Sequence, residues 1–373
     1  MSSVCSKRLG DLITFKRGYD LPEQNRIIGP YPVISSAGIS GFHNDYKVEG
    51  KGVVTGRYGT LGEMYFVDGK YWPHNTALYV QDFKGNDPKY IYYLLSCLGR
   101  IRTSDKSAVP GVNRNELHEM FVPAIEEKST QIAIRQVLEI LDAKIELNNR
   151  INVELEAMAK TLYDYWFVQF DFPDANGKPY KTSGGKMVYN PELKRDVPEG
   201  WNSSDLGSIA ELYQPRTISE KQMSDDGKYL VYGANGIVGR YESYNHEHSV
   251  IAITCRGNSC GEINITRPFS WITGNAMVVN PIDKAFSIDY LFNTLKRSAV
   301  NKVITGSAQP QITRTNLSPL KVISPPAILI SNYSAIVSSG FVKRLAILEE
   351  IETLDKLRDW LLPMLMNGQV KVK

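Results

Sequence analysis

Residues 31–43 read YPVISSAGISGFH, and residues 229–241 read YLVYGANGIVGRY. At an offset of 198 the opening tyrosines coincide, and so do Gly38 with Gly236 and Gly41 with Gly239. Working outward, residues 53–63 (VVTGRYGTLGE) and 252–262 (AITCRGNSCGE) share Thr, Arg, Gly and Glu at offset 199. Asn75 pairs with Asn275 and Tyr90 with Tyr290 at offset 200. Residues 107–117 (SAVPGVNRNEL) and 307–317 (SAQPQITRTNL) share Ser, Ala, Pro, Arg and Leu. Matches in this order mark a tandem duplication, with a period far too long for a solenoid or a propeller blade. Each copy is a whole globule.

Within each copy, Val/Ile/Tyr-rich stretches such as GVVTGRY, MYFVDG and TALYV, or SVIAITCR and AMVVN, alternate with glycine turns and read as strands. YIYYLLSCLGRIR and DYLFNTLKRSAV read as one helix each. A long run without Gly or Pro follows Pro123, with apolar residues at 134, 138, 141, 145, 151, 155, 158 and 162 and a stutter near Asn148 and Asn149. A second run follows Pro325 and Pro326 and carries Phe341, Leu345, Leu348, Ile351, Leu354, Leu357 and Leu361, interrupted by Gly340 and Pro363. An amphipathic rod of this length needs a partner stripe, and the other rod supplies one. The expected seam is Leu138, Leu141, Ile145, Asn148, Leu155 and Leu162 against Leu345, Leu348, Leu354 and Leu361, with Asn148 and Asn152 at or near it, where a buried Asn fixes register. Residues 171–198, rich in Pro, Gly and Lys, read as a linker. The expectation is therefore a mixed α/β (α+β) chain: two strand-rich globules in tandem, separated by two long antiparallel coiled-coil-like helices with pseudo-two-fold symmetry. The segments are 1–124, 125–170, 171–198, 199–325 and 326–367.

The chain has 373 residues, 42% hydrophobic and 22% charged, which is globular usage. Its 43 basic and 40 acidic residues leave a net +3, too balanced to argue nucleic acid from bulk charge. Four cysteines are no disulfide scaffold and read as the reduced thiols of a cytosolic protein. No secretory signal or membrane-spanning run is visible, so the expectation is a cytoplasmic protein with no membrane partner.

Local charge says more. Lys89, Arg100, Arg102, Lys106 and Arg114 face only Asp105 in their window. Lys296, Arg297, Lys302, Arg314 and Lys321 lie in a window without any acid. Uncompensated basic residues beside Ser, Thr, Asn and Gln suit a phosphate-contacting surface. Asn113, Gln309, Gln311 and Asn316 add amides able to pair with adenine edges.

No phosphate-binding loop, NPPY-like tetrapeptide or GxSxG occurs. Asp174 with Glu192 and Lys194 resembles the PD…ExK pattern of magnesium-dependent nucleases, but falls in the linker. His246, His248, Cys255 and Cys260 could ligate zinc, yet the first copy has Gly56 and Leu61 at the cysteine positions, so the cysteines read as small core residues. No catalytic or metal-ligating residue is assigned. A nuclease and a protein-binding adaptor remain the alternatives to DNA recognition.

The arrangement resembles the specificity subunit of type I restriction-modification systems over essentially the whole chain. Leu9-Gly10-Asp11 and Leu206-Gly207 open the globules, and Val197-Pro198-Glu199-Gly200-Trp201 precedes the second. LDAKIELNNRI at 141–151, Tyr165-Trp166-Phe167 and Phe170-Asp171-Phe172-Pro173 are similar to the family's central region. Leu357 to Gly368 looks like its C-terminal signature. The resemblance implies two target-recognition domains reading a bipartite, asymmetric site in double-stranded DNA, with the helices as spacer and docking surface. It implies two modification (methyltransferase) subunits and a restriction subunit as partners. S-adenosylmethionine, ATP and magnesium would be bound by those partners, with no cofactor in this chain.

Overall fold

A computed structural model of the chain describes residues 4–57, 63–98, 113–234, 236–283, 285–306 and 309–372. In chain order the elements are β1 (Cys5–Arg8), α1 (Leu9–Leu12), β2 (Thr14–Arg17), β3 (Tyr31–Ser35), β4 (Gly38–His43), β5 (Val48–Gly56), β6 (Met64–Pro73), β7 (Ala77–Asp82), α2 (Pro88–Cys97), α3 (Arg114–Glu119), β8 (Phe121–Ala124) and α4 (Lys128–Tyr163). Then come β9 (Met187–Asn190), β10 (Arg195–Pro198), β11 (Asn202–Asp205), α5 (Leu206–Ile209), β12 (Ala210–Tyr213), β13 (Tyr229–Gly233), β14 (Gly236–Tyr241), β15 (Ile251–Thr254), β16 (Ile263–Ile265), β17 (Trp271–Ile272), β18 (Ala276–Pro281), α6 (Ile288–Arg297), α7 (Arg314–Leu317), β19 (Lys321–Ser324) and α8 (Ala327–Met366). They form two compact units, residues 1–148 with 350–373, and residues 149–349.

In the first unit β1 pairs with β8, and a six-stranded sheet runs β2-β7-β5-β6-β3-β4. Asp87 caps α2 by accepting from the Lys89 and Tyr90 amides, and the helix buries Tyr90, Ile91, Tyr93, Leu94 and Leu95. These side chains join Val53, Leu78 and Val80 of the sheet, Ile134 and Leu138 of α4, and Leu365 and Met366 of α8 in one core. Burying each large side chain is worth about 1.5–3 kcal/mol.

The second unit repeats the connectivity. β11 pairs with β19, β12-β18-β15-β16 form one sheet and β14-β13-β17 another. β16 and β17 together stand where β6 stands in the first unit. Val231 lies opposite Trp271 in a parallel pair, as Val33 lies opposite Trp72. Between β16 and β17 comes Pro268, which has no N–H for a ladder.

The repeated Leu-Gly pairs have a steric cause. A Cβ on Gly10 would come within 3.0 Å of His118 Cβ and its carbonyl oxygen, and one on Gly207 within 2.0 Å of Ser318 Oγ. The adjoining amides make matching bonds, Leu9 N–H to the Met120 carbonyl at 2.8 Å and Leu206 N–H to the Leu320 carbonyl at 2.9 Å.

One sequence match is out of register. Residue identity pairs Thr55 with Thr254, but the ladders set Thr55 opposite Met64 and Leu78, and Ile253 opposite Ile263 and Met277. Ile253 is therefore the counterpart of Thr55, and Val53 and Ile251 occupy corresponding main cores. A slip of one residue turns every side chain to the other face, so burial overrides identity in this strand.

α4 runs unbroken through Asn148 and Asn149 for 36 residues, and α8 runs through Gly340 and Pro363 for 40. In the first unit Lys144 pairs with Glu350 at 3.2 Å and Asp142 with Arg358 at 3.5 Å. In the second, Glu156 pairs with Arg344 at 2.7 Å and the Tyr333 hydroxyl donates to the Ala159 carbonyl at 3.1 Å. Numbers rise on one helix as they fall on the other, so within each unit the helices are antiparallel. Leu138 and Asn148 are buried, and Leu141, Ile145, Leu155, Leu162, Leu345, Leu348, Leu354 and Leu361 are half-buried. Met158 (66% exposed) and Leu357 (40%), which fit the apolar period, face outward.

Residues 171–198, read from composition as a linker, are ordered in the structure. β9 and β10 form a hairpin, and Asp171 accepts from the Thr182 amide and hydroxyl. Phe172 stacks between Tyr180 and Trp201, with ring centroids 4.7 and 5.1 Å away. Aromatics placed singly, without a period, hold this segment down. Trp166, Phe167, Phe170, Trp201, Tyr290 and Tyr333 form the adjoining core.

Candidate nucleic-acid interface

In the second unit four loops meet at one end of the sheet. The Gln214 amide donates to Cys255 Sγ at 2.9 Å and to the Gly274 carbonyl at 3.1 Å. Thr254 Oγ1 and Ser259 Oγ donate to the Ala234 carbonyl at 2.7 and 2.8 Å, and Cys255 N–H to the Asn275 carbonyl at 3.0 Å. The segment after α6 is pinned there too. Arg256 and Gln311 form a backbone bridge, Ile312 N–H donates to the Cys255 carbonyl, and Thr305 and Gln311 exchange backbone bonds of 2.9 and 2.8 Å. Asn316 Nδ2 reaches Thr305 Oγ1 at 3.4 Å. Arg216, Arg256, Lys302, Gln309, Gln311 and Arg314 are exposed on these loops, with Glu262 as an exposed acid among them. Cations with amides on a rigid loop cluster can hold phosphates and read base edges.

The first unit builds the same end. Arg57 N–H donates to the Thr76 carbonyl at 2.9 Å, His74 N–H to the Ile34 carbonyl at 2.8 Å, and Gly18 N–H to the Ala77 carbonyl at 3.1 Å. Arg17 is exposed and Arg57 half-exposed there. Arg100, Arg102 and Lys106 lie outside the described residues.

Several basic-window residues have other work. Lys89 is half-buried with its ammonium 4.2 Å from the Phe66 centroid and 4.5 Å from that of Tyr92, and burial lowers its pKa. It is held by rings rather than free for phosphate. Asn113 caps α3 by accepting from Asn115 N–H, while Arg114 beside it is exposed. Lys296 is exposed, its ammonium 5.4 Å from the Phe292 centroid. Arg297 is paired with Asp164 of the segment following α4. Lys321 bridges Glu192 at 2.9 Å and Asp205 at 3.2 Å. Gln214, Arg216, Arg256, Asn275 and, in the first unit, Arg57 were outside both windows. The repeated Thr-x-Arg pointed to both arginines, although the ladders set Arg57 level with Cys255, one residue before Arg256.

The nuclease and zinc patterns do not assemble. Asp174 accepts from the Asn176 and Lys178 amides in a turn, and Glu192 is bound by Ser203 and Lys321. His246 Nε2 meets the Tyr213 hydroxyl at 2.9 Å, and Cys255 is buried. Among the described residues no group of three or more His, Cys, Asp or Glu is placed to hold a metal ion.

Residues 1–157 and 198–328 match the family model described as the type I restriction modification DNA specificity domain. The type I restriction enzyme MjaIX specificity subunit of Methanocaldococcus jannaschii is 25% identical over 79% of this chain and 73% of its own length. The HindI specificity subunit of Haemophilus influenzae is 24% identical over 66% of this chain and 68% of its own. The crystal structure of a type I restriction-modification S subunit from M. genitalium superposes with a TM-score of 0.64, at 18% identity, covering 98% of this chain and 96% of that one.

Proposed function

This chain belongs to the type I restriction-modification DNA specificity family, and from that premise we propose that it reads a bipartite, asymmetric DNA target, one half through each repeat. As a specificity subunit it recognises DNA and is not itself catalytic. The observation carrying the two-part reading is the loop cluster at one sheet end, built once in each unit with Arg57 in the first and Arg256 in the second. The exposed side chains differ between the two clusters, so the halves of the target differ.

The chain works in a complex with restriction and modification subunits. We assign two modification subunits, one per unit, docked on the long helices. An apolar groove of about 620 Å³ in the second unit, lined by Leu155, Met158, Leu162, Tyr165, Ile336 and Gly340, supports docking there. S-adenosylmethionine, ATP and magnesium belong to the partners, and the complex acts in the cytoplasm. Among the described residues no helix is long and apolar enough to cross a membrane.

The test is single-molecule sequencing of host DNA for methylated adenine with the gene intact and deleted. Loss of one two-part motif on deletion is expected. A deletion that changes no motif in a host that carries the partner genes would overturn the reading. Arg256→Ala is expected to weaken binding across sequences and to flatten the salt slope by about one unit if it holds one phosphate. An insertion of four residues near Asn148 is expected to change the gap between half-sites and leave both half-sites intact.

A further inference from the structure

In the second repeat a cavity of about 560 Å³ lies between the β13–β14 hairpin and residues 217–225. Thr273 lines it, is 3% exposed, and its hydroxyl meets no hydrogen-bonding partner. A buried polar group left unpaired costs about 1–3 kcal/mol, so a ligand with a hydrogen-bonding edge would recover it. Ile218, Met223 and Val238 give the cavity apolar walls, and Glu220 and Asp225 give it two carboxylate acceptors.

The first repeat fills the same place. Ser35 stands where the second repeat has Gly233, Arg26 where it has Met223, and His74 where it has Thr273. Arg26 Nη1 donates to the Ser40 carbonyl at 2.9 Å and lies 3.4 Å from where a Cβ on Gly41 would be. Met223 Sδ lies 3.0 Å from the corresponding point on Gly239, which confirms the equivalence. His74 Nδ1 meets Thr76 Oγ1 at 3.0 Å. A Cβ on Gly233 would sit 3.4 Å from Thr273 Oγ1. Three exchanges to smaller side chains thus leave the second repeat with an open, hydroxyl-floored cavity.

Its position names the ligand class. Ala234 and Asn275 line the cavity, and their carbonyls also take the bonds from Thr254, Ser259 and Cys255 that build the loop cluster around Arg256. Apolar walls for a flat ring, acceptors for its amino or imino hydrogens and a hydroxyl for its edge describe a nucleobase. A base stacked in a duplex cannot enter, so it must swing out of the helix. We propose that this cavity is a nucleobase pocket of the second repeat and that bound DNA supplies the base. The proposal rests on the DNA-reading function above and adds to it a mode of recognition confined to one half-site.

The test uses the full chain with its modification partners and duplexes carrying the methylated motif. 2-Aminopurine is placed in turn at each position, and fluorescence and anisotropy are read on the same sample. The modification subunits flip their own target adenines, so the probe brightens at the methylated positions in any case. Wild type is expected to brighten it at one further position, in one half-site only. Thr273→Val is expected to weaken binding about tenfold, the loss of one buried hydrogen bond. The double variant Gly233→Ser with Thr273→His, carrying the residues of the first repeat, is expected to abolish the brightening at that further position alone, with an unchanged melting temperature showing that the new Cβ, 3.0 Å from Val238 Cγ1, is accommodated. Duplex binding with no bright position beyond the methylated adenines, or further brightening that survives in the double variant, overturns the pocket while DNA reading stands. No preference for the motif in anisotropy overturns the DNA reading itself. Free adenosine, cytidine, guanosine and thymidine form the second arm. A melting shift with one of them, absent in the double variant and without brightening beyond the methylated adenines in duplex, keeps the nucleobase pocket and overturns DNA as its source.

Discussion

The first repeat carries β6 as one strand of ten residues, whereas the second breaks the same stretch into β16 and β17. Gly69, at φ +113°, lies within β6, and its counterpart is Pro268, followed by Phe269 at φ +52°. The flanks keep their register on both sides of the break, with Met64 and Ile263 opposite β5 and β15, and Trp72 and Trp271 opposite β3 and β13. A duplicated fold therefore tolerates a lost ladder wherever the pairs on either side are fixed by buried side chains. Variation collects at the strand ends and in the broken strand, where loops carry recognition.

The sharpest way to break this comparison is to exchange the two residues at the break. Gly69→Pro forces φ from +113° to about −65° inside a paired strand and is expected to cost the first unit about 3 kcal/mol or more. Pro268→Gly is expected to change the second unit by only about 1 kcal/mol, mainly through the unfolded chain. Denaturant unfolding with hydrogen exchange read separately for each unit checks both. Equal losses would mean that the intact strand is no more constrained than the broken one.

A second contrast lies on α4. Asn148, 1% exposed, donates to Glu350 at 2.9 Å in the first unit, and with Lys144 it holds the Glu350 carboxyl below the usual carboxylate range. Asn152, 8% exposed, has neither amide atom paired in the second unit. Asn148→Ala is expected to cost about 2 kcal/mol, because it removes a bond to a charged group. Asn152→Leu is expected to stabilise by about 1 kcal/mol, because it relieves an unpaired buried amide. Opposite signs in the same helix would separate a register-fixing Asn from a strained one. A loss at both positions would mean that Asn152, like Asn148, makes a stabilising bond in the folded chain, and the contrast would fail.

What could be read from residues alone followed the same division. The duplication was legible because backbone approach preserves identities such as Gly10 and Gly207, and the long helices because their apolar period survives any partner. Register in β15 was not legible, since identity favoured Thr254 where burial required Ile253. The pairing of Arg297 was hidden because Asp164 lies 133 residues away, and that of Lys89 because its rings come from two elements. Charge counts see neither partner. The cavity at Thr273 was invisible for a further reason: it arises from three exchanges to smaller side chains at positions that only the fold brings together.

The smallest expected effect is one of pH, and it distinguishes the repeats at a position already compared. His118 packs over Gly10, and its Nε2 accepts the Phe15 amide hydrogen at 2.9 Å, which requires the neutral ring. Burial first, then Arg114 and Lys84, lower its pKa below the ordinary value of 6.5. The unfolded chain thus takes up the proton first as pH falls through about 6.5, and folded stability declines from there down to the depressed folded value. The second repeat has Ser318 at this place, which does not titrate. Acidification from neutral pH is therefore expected to lower the melting temperature of the first unit, and His118→Ser, the exchange the second repeat already carries, to remove that part of the slope. His246, whose pKa burial lowers, gives the second unit its own decline, which His246→Gln is expected to flatten without touching the first. If His118→Ser leaves the first unit's pH slope unchanged, the imidazole is not the acceptor that the close approach at Gly10 demands, and the two Leu-Gly contacts are equivalent after all.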